Sequence, residues 1–543
     1  MDSAVKSSQK KGIFQKCLDG IEVVGNKLPH PITLFSLFCL VIIILSAVTS
    51  AMGLTAQGEL VNRATGELES TTIAATSLLS REGIIYMLEN AITNFVNFAP
   101  LGMVLVGMLG IGTAEGSGYI NALLKKAVSV TPAMLVTPMV VFLGVMSNIA
   151  SDAGYVVLVP LGALIFMSFG RHPLAGLAAG FAGVSGGFSA NLIIGTIDPM
   201  LAGISTSAAQ MIDPNYTVQA TSNMYFMMAS TFLVTLLGWF VTEKIVEPRL
   251  GEYKGGSTLS KEDQDLQNLS DKEKKALKIT NLTVLAMLAA IVAVVMLPNS
   301  PLRNIEKEAT EGFVSSIING SSLMNGFVLL IAIIFFVAAC VYGKVSGQFK
   351  DEKDIGNELG KSMSSMGSYI ALAFVMAQFV NYFSYTNLGT ILAIKGAEVL
   401  KSMNMNSTVL MIVFILFSGF INLFMGSASA KWAIMAPVFL PMLMQMNISP
   451  ELTQVAYRIG DSTTNIISPL MTYFAMIVIF AQKHDKKAGM GTLISTMVPY
   501  TVVFLIGWTL MLIVWMMLNL PLDRKSTRLN SSHRLTSRMP SSA

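Results

Sequence analysis

The chain has 543 residues, of which 53% are hydrophobic and 13% charged, with a mean hydropathy of +0.62. The charged share is about half that of a soluble globular chain, so lipid must cover much of the surface. This composition excludes an ordinary cytosolic enzyme, a disordered chain and a nucleic-acid-binding protein. The net charge of +4 indicates little about partners, because the placement of Lys and Arg matters more than their sum in a membrane protein.

The first apolar run extends from Pro31 to Leu54 and follows a polar leader. It is long enough to remain in the membrane as a helix and does not resemble a cleaved signal peptide. Further apolar runs fall at roughly 98–114, 131–149, 153–170, 173–195, 222–242, 279–297, 325–343, 366–384, 408–426, 431–447, 464–481 and 491–520.

Several of these runs are too short, or too rich in Gly, Ser and Pro, to cross about 30 Å of hydrocarbon as one straight helix. We therefore predict an all-α polytopic membrane protein with about nine transmembrane helices plus re-entrant or broken segments. Non-helical backbone at membrane depth requires surrounding protein or a water-filled cavity.

Lys and Arg placement predicts the orientation and the domain organisation. The leader carries Lys6, Lys10, Lys11 and Lys16, which place the amino terminus in the cytoplasm, and eight Lys or Arg between Glu243 and Lys278 indicate a solvated cytoplasmic connector. The tail is basic and Ser-rich, and its composition indicates a cloning or assembly artefact. The predicted units are a leader (1–30), a first transmembrane half (31–242), the connector (243–278), a second transmembrane half (279–521) and a non-native tail (522–543).

Two unusual segments of the first half have counterparts about 270 to 280 residues later. The polar segment 147–155, which contains Asp152, corresponds to 426–432, and the segment 185–199, with Asn191, corresponds to 460–469, with Asn465 and Pro469. Matching interrupted segments in two halves predict an inverted internal repeat and a secondary transporter whose substrate site lies where the breaks meet. The alternative is that Gly and Ser at these positions only permit close helix packing.

Asp152, Asp198, Arg458 and Asp461 lie inside or against apolar runs. A charge at the bilayer centre costs about 2.5–3.5 kcal/mol, so each is a candidate functional residue. Arg458 and Asp461 are three residues apart and are predicted to pair on one helical face, whereas an unpaired buried carboxylate could carry a coupling proton. The alternative role for this pair is structural. Trp432, beside the second break, is predicted to stack on an aromatic ligand, with packing or the interfacial belt as the alternative.

Motifs for other chemistries are incomplete. Residues 356–362 have one residue too few between their glycines for a phosphate-binding loop, and the three cysteines and scattered histidines offer no zinc site. Arg458 occupies the position where an intramembrane aspartyl protease would need glycine. We expect neither an enzyme nor a bound metal or cofactor. A channel or uncoupled facilitator for small organic anions is the alternative to an ion-coupled transporter.

Several motifs closely resemble the AbgT family of p-aminobenzoyl-glutamate transporters, and the resemblance extends to about Pro521. They are Gly176-Leu-Ala-Ala-Gly-Phe-Ala-Gly-Val-Ser-Gly-Gly, Gly195-Thr-Ile-Asp198-Pro199-Met-Leu-Ala-Gly203, Gly426-Ser-Ala-Ser429-Ala-Lys-Trp432 and Ala456-Tyr-Arg458-Ile-Gly-Asp461-Ser. The resemblance implies a homodimer in the bacterial inner membrane, with nine transmembrane helices and two re-entrant hairpins per protomer. It also implies transport of p-aminobenzoyl-glutamate or a related aromatic anion, or export of sulfonamide antimetabolites.

By the same resemblance, the residues that line the substrate and ion pathway are Asp198, Asn422, Ser429, Trp432, Arg458, Asp461 and Pro469. We expect Arg458 to bind a substrate carboxylate, Trp432 to stack on the aminobenzoyl ring, and Ser429 and Asn422 to hydrogen-bond the amide. Asp198 and Asp461, with Asn191, Asn465 and Asp152, are expected to carry a coupling proton or help to hold sodium. Lys431 departs from the uncharged amide expected in family members with a proposed sodium site, and this argues against direct sodium coordination there.

Overall fold

The protein is described here from a computed structural model, which describes residues 31–61, 68–129, 132–150, 154–253, 269–318, 321–403, 405–469, 471, 473–486 and 488–522. The predictions made for the leader, for Asp152 and for the tail after Leu522 lie outside these residues. Nineteen helices of eight residues or more, numbered α1 to α19, form the described part of the chain, together with shorter helical turns and one two-stranded ribbon.

The first half begins with a long apolar helix and an antiparallel ribbon. Strands β1 (Thr55–Val61) and β2 (Leu68–Ala74) pair with Thr55 opposite Ala74, in a segment for which the sequence analysis predicted no strand. The helices are α1 (Pro31–Ala51), α2 (Arg81–Val96), α3 (Ala99–Gly116), α4 (Tyr119–Ser129), α5 (Val136–Ser147), α6 (Val159–Ser168), α7 (Pro173–Phe181), α8 (Ile197–Ala209) and α9 (Met224–Val241).

The second half repeats the pattern of long apolar helices followed by short, interrupted ones. A capping box between Ser270 and Glu273 begins its first helix inside the predicted connector. The helices are α10 (Asp271–Met296), α11 (Phe327–Ser346), α12 (Glu352–Ser365), α13 (Gly367–Tyr385), α14 (Leu388–Ser402), α15 (Ser407–Asn422), α16 (Ala428–Met444), α17 (Pro450–Asn465), α18 (Phe474–His484) and α19 (Met490–Met517).

The predicted breaks in the segments 185–199 and 460–469 are present. After α7 and its π-helical extension Ala182–Gly186, the backbone is irregular until α8 begins. In the second half α17 ends at Asn465 and α18 begins at Phe474. Local sequence explains where the second broken helix begins, because Pro450 occupies its first turn and the Ser449 hydroxyl accepts a hydrogen bond from the Leu452 N–H.

Close glycine contacts support the internal repeat. A Cβ atom on Gly144 of α5 would lie 2.7 Å from Gly183 Cα, in the π-helical turn after α7. About 275 residues later, a Cβ on Gly460 of α17 would lie 2.8 Å from the backbone nitrogen of Gly419 in α15. In both halves, therefore, one helix packs directly on the backbone of the helix that is later broken: α5 on the turn after α7, and α15 on α17. Glycine permits that short distance.

Six helical segments of the described chain are long and apolar enough to cross a membrane, and the number rises to eight if two bent helix pairs each count as one span. The bends are 42° between α12 and α13 and 119° between α14 and α15. The helical membrane architecture with broken segments is confirmed. The count of nine spans with two re-entrant hairpins, and the inverted orientation of the repeats, stay predictions.

Candidate functional site

The first break, residues 187–196 between α7 and α8, meets α17 in the interior, and α17 is the helix that precedes the second break at residues 466–473. The Ser189 N–H, in the first break, donates to the Ser462 hydroxyl of α17 at 3.1 Å. Helix α8 packs along α16, and α17 packs along α15, so polar residues from both halves converge. This convergence follows from the fold, since the residues concerned are more than 200 positions apart in the chain.

Arg458 and Asp198 form the first of two buried ion pairs. The Arg458 Nη2 atom donates to Asp198 Oδ1 at 2.5 Å, and the side chains are 3% and 2% exposed. Asp198 lies in the first turn of α8, where a carboxylate is favoured by the helix dipole, and its Oδ2 accepts the Gly195 N–H at 2.7 Å. The second guanidinium nitrogen, Nη1, contacts Met227 Sδ at 2.7 Å.

Asp461 forms the second pair, with Lys431 rather than Arg458. The Lys431 ammonium donates to Asp461 Oδ1 and to Asn422 Oδ1, and Lys431 and Asp461 are 0% and 1% exposed. The predicted pairing of Arg458 with Asp461 is wrong. Although both lie on α17, Arg458 reaches α8 of the first half, whereas Asp461 faces the start of α16, so each finds a countercharge on a different helix.

Asn422, at the end of α15, is the centre of the hydrogen-bond network around this second pair. Its Nδ2 group lies 2.8 Å from the Asp461 carbonyl, 2.9 Å from Thr464 Oγ1 and 2.8 Å from Asn465 Oδ1. Asn465 Nδ2 in turn lies 3.4 Å from Asp461 Oδ2. Asn422 and Asn465 therefore hold α15 and α17 together around Asp461.

Lys431 is the functional candidate that the sequence analysis left out of its site. The sequence signal was present, since Lys431 is a lone cation in a small-residue segment at membrane depth. A fully buried ammonium is stable only when it is paired, and here a carboxylate and an amide oxygen surround it.

Trp432 is fully buried beside this network. Its ring stacks on Tyr457 with centroids 4.5 Å apart, and its indole N–H donates to Ser205 Oγ at 2.9 Å. Ser205, on α8, donates to Gln454 Oε1 at 2.7 Å. The face that was expected to receive an aromatic ligand therefore contacts protein in this conformation, and ligand stacking stays a prediction.

The remaining predicted residues lie around the breaks. Ser429 is half-buried in the first turn of α16, with its hydroxyl 3.4 Å from that of Ser427, and Pro469 is half-buried after α17. Asn191 is buried in the first break. The structure thus brings all of the predicted residues except the undescribed Asp152 to the two breaks and the helix ends beside them.

The charges of the two buried pairs cancel, and none of their four side chains is more than 3% exposed. A ligand can reach Arg458 only if the helices around it move apart. A separate cavity of about 290 Å³ lies near the other end of α8, lined by polar residues that include Asn94, Asn97 and Gln210. The central pairs are therefore closed off, while polar space remains farther along the same helix.

The AbgT transporter family model matches residues 16–529. The chain is 36% identical over 520 residues to the p-aminobenzoyl-glutamate transport protein of Escherichia coli K12, an alignment that covers 96% of this chain and 98% of that protein. The structure resembles the YdaH transporter of Alcanivorax borkumensis, whose topology is described as unusual, with a TM-score of 0.83, 43% identity and coverage of 91% of this chain and 100% of that one.

It also resembles MtrF of Neisseria gonorrhoeae, described as illuminating a class of antimetabolite efflux pumps. The TM-score is 0.85 with 46% identity, and the match covers 92% of this chain and 97% of that chain.

Proposed function

The chain belongs to the AbgT transporter family, and on that premise we propose that it moves p-aminobenzoyl-glutamate or a related aromatic anion across the bacterial inner membrane, coupled to an ion gradient. The observation that carries the proposal is the buried guanidinium of Arg458 between the two breaks, held by Asp198. A guanidinium is suited to a carboxylate ligand because it presents several donors in a planar fork.

In the proposed mechanism, a carboxylate of the glutamate moiety replaces Asp198 on Arg458. The aminobenzoyl ring takes the place of Tyr457 against Trp432, and Ser429 and Asn422 hydrogen-bond the amide. These exchanges require α16 and the start of α8 to move apart. Movement of the segments around the breaks against a dimeric scaffold, with the amino terminus in the cytoplasm, would then alternate access.

The coupling ion acts on the carboxylates that the substrate displaces. Once Asp198 loses its guanidinium partner, it needs either a proton or a cation, because an unpaired buried carboxylate is unfavourable. Asp461 faces the same requirement if its pair with Lys431 opens. Transport and ion binding are thereby linked through the same side chains, which is what distinguishes a coupled transporter from a channel.

Sulfonamide export is a second proposed activity. It is supported by the likeness to MtrF, described as belonging to a class of antimetabolite efflux pumps. A sulfonamide shares the aminobenzene ring that Trp432 is proposed to bind but lacks the glutamate carboxylates. We therefore expect sulfonamide transport to depend on Trp432 and to depend less on Arg458 than p-aminobenzoyl-glutamate transport does.

The test uses purified protein in liposomes with radiolabelled p-aminobenzoyl-glutamate, under a proton gradient and a sodium gradient imposed separately. Accumulation with protons alone would favour a carboxylate relay through Asp198 and Asp461, whereas accumulation with sodium alone would favour cation binding at the breaks. Equilibration without accumulation under either gradient would contradict coupling and indicate a facilitator or channel. A parallel series with a radiolabelled sulfonamide tests the second activity.

A further inference from the structure

A polar stripe runs along α2, although this helix begins a continuous helical segment that is apolar and long enough to span a membrane. Four residues spaced four, three and four positions apart share one helical face: Tyr86, Asn90, Thr93 and Asn97. The opposite face is apolar and exposed, with Leu88 as its most exposed residue. Polar side chains at membrane depth usually face other protein or a water-filled cavity. The stripe therefore indicates polar space beside α2.

Two neighbouring cavities provide that space. Thr93 and Asn97 line the cavity of about 290 Å³ together with Asn381 of α13. A second cavity of about 690 Å³ lies beside strand β2, and both cavities are lined by Gln210, at the end of α8, and by Ser384 of α13. We call the two cavities together the vestibule. Their volumes are in the range of ligand pockets, about 300–1,000 Å³.

The vestibule differs in charge from the centre of the protein. None of the described residues that line it is charged, whereas the centre contains the ion pairs of Arg458 with Asp198 and of Lys431 with Asp461. An anion that enters the vestibule loses part of its hydration and finds no countercharge, which is unfavourable. An uncharged molecule does not incur this cost.

The lining of the vestibule combines hydrogen-bonding groups with aromatic surface. Asn97 and Ser384 are exposed to it, and Asn381 donates one N–H to the Ala377 carbonyl at 2.9 Å while its amide has further donor and acceptor capacity. Phe98 lines the smaller cavity and Tyr385 the larger one. Aromatic rings beside amides and hydroxyls suit an aromatic ligand that carries polar substituents.

The walls formed by α2 and α13 are fixed against each other. Asn94 Nδ2 donates to Gln378 Oε1 at 3.1 Å, and Gln378 Nε2 donates to the Ala91 carbonyl at 2.8 Å. The rings of Tyr86 and Tyr385 stack with their centroids 4.0 Å apart. The vestibule is therefore preformed, as most small-molecule sites are.

Helix α8 separates the vestibule from the buried ion pairs. Ser207 lines the vestibule, whereas Ser205 donates to Gln454 of α17 on the other side of the helix. Two positions along a helix differ by about 200° around its axis, so the two hydroxyls lie on nearly opposite faces. A molecule in the vestibule and a molecule bound at Arg458 would therefore occupy different sites.

We propose that the vestibule binds uncharged aromatic molecules that carry hydrogen-bonding groups, at a site separate from Arg458 and Trp432. A neutral sulfonamide has this chemistry, whereas p-aminobenzoyl-glutamate has two carboxylates that the vestibule does not neutralise. The vestibule would hold such a molecule before or after it passes Trp432. That part in transport rests on the proposed function, but binding to the vestibule does not.

The experiment measures equilibrium binding of radiolabelled sulfanilamide, an uncharged aminobenzene sulfonamide, to the purified full-length protein in lipid nanodiscs without an ion gradient. We expect saturable binding to the wild type. Asn97→Ala and Asn381→Ala should each weaken it about two- to tenfold, the effect of losing one hydrogen bond. Ser384→Trp should abolish binding, because the indole ring fills the space between the two cavities. Asn357→Ala is the matched control, since Asn357 lines a different polar cavity beside α12.

The charge preference is tested with a matched ligand. Sulfanilate has the same aminobenzene ring as sulfanilamide but carries a negative sulfonate group. Unlabelled sulfanilamide should displace the radiolabelled ligand, and sulfanilate at the same concentration should not, because the vestibule offers it no countercharge. Equal displacement by the two ligands would refute the preference for uncharged molecules.

The absence of saturable binding to the wild type, as for a cavity that holds only water, would overturn the proposal. Binding that is unchanged in Asn97→Ala, Asn381→Ala and Ser384→Trp would place the ligand elsewhere and would also overturn it. Size-exclusion profiles establish that each variant is folded, and the two alanine variants decide the outcome if Ser384→Trp is not. Because neither a gradient nor p-aminobenzoyl-glutamate is present, these outcomes are independent of whether the protein transports that substrate.

Discussion

Arg458 and Asp198, 260 positions apart in the chain, form a buried ion pair at 2.5 Å that joins the broken helix of the second repeat to the helix after the break in the first. The pair fixes α17 against the start of α8. A carboxylate ligand that replaces Asp198 on Arg458, as proposed, would loosen that contact, so ligand binding and the contact between the repeats would be coupled.

Arg458→Ala should abolish uptake of p-aminobenzoyl-glutamate in liposomes while the protein still inserts into membranes. The variant should also lose about 3–5 kcal/mol of stability, because Asp198 is left buried without its countercharge. Thermal unfolding in detergent measures that loss. The double variant Arg458→Met with Asp198→Leu should recover much of the stability but none of the transport. Normal uptake by Arg458→Ala would refute the assignment.

Lys431→Met should destabilise the protein by about 3–5 kcal/mol, because Asp461 is then buried without its countercharge. The matched control is Lys431→Met combined with Asp461→Leu, which removes the unpaired charge and should recover much of the stability. Melting temperatures in detergent give the result, and a single variant as stable as the wild type would contradict the pairing of Lys431 with Asp461.

Trp432→Phe keeps an aromatic ring but loses the hydrogen bond to Ser205, so it should cost about 0.5–1.5 kcal/mol and leave partial transport. Trp432→Ala removes the ring from a fully buried position and should cost about 3–5 kcal/mol and abolish transport.

The direct test of stacking is quenching of tryptophan fluorescence by p-aminobenzoyl-glutamate. Quenching should disappear in Trp432→Phe and persist in Trp239→Phe, whose ring is on α9. Quenching that persists in Trp432→Phe would exclude ring contact at this position.

Gly460→Ala should destabilise the protein by about 1–3 kcal/mol, because the new methyl group would lie 2.4 Å from the Ile415 carbonyl oxygen and push α17 from α15. Gly360→Ala is the control within a helix. Nothing lies within 4 Å of its added Cβ on α12, so the better helix propensity of alanine should stabilise by up to about 1 kcal/mol. Melting temperatures of the two variants should therefore shift in opposite directions.

The sequence by itself determined that the protein is a helical membrane protein with matching interrupted segments early and late in the chain, because apolar run length and the clustering of Gly, Ser and Pro are local properties. It also identified Asp198, Arg458, Trp432 and Asp461 as candidates, since charged and indole side chains at membrane depth are unusual wherever they occur. The unfavourable free energy of placing a charge in an apolar run can be inferred without knowing which residue pairs with it.

Only the tertiary structure decided which charges pair. Sequence spacing favoured Arg458 with Asp461, but the partners come from α8 and α16, which pack on α17 although α8 lies far away in the chain. The same reason explains why Lys431 was missed as a site residue. Its isolated charge is visible in the sequence, but its contacts with Asp461 and Asn422 depend on the three-dimensional structure, and no local pattern records them.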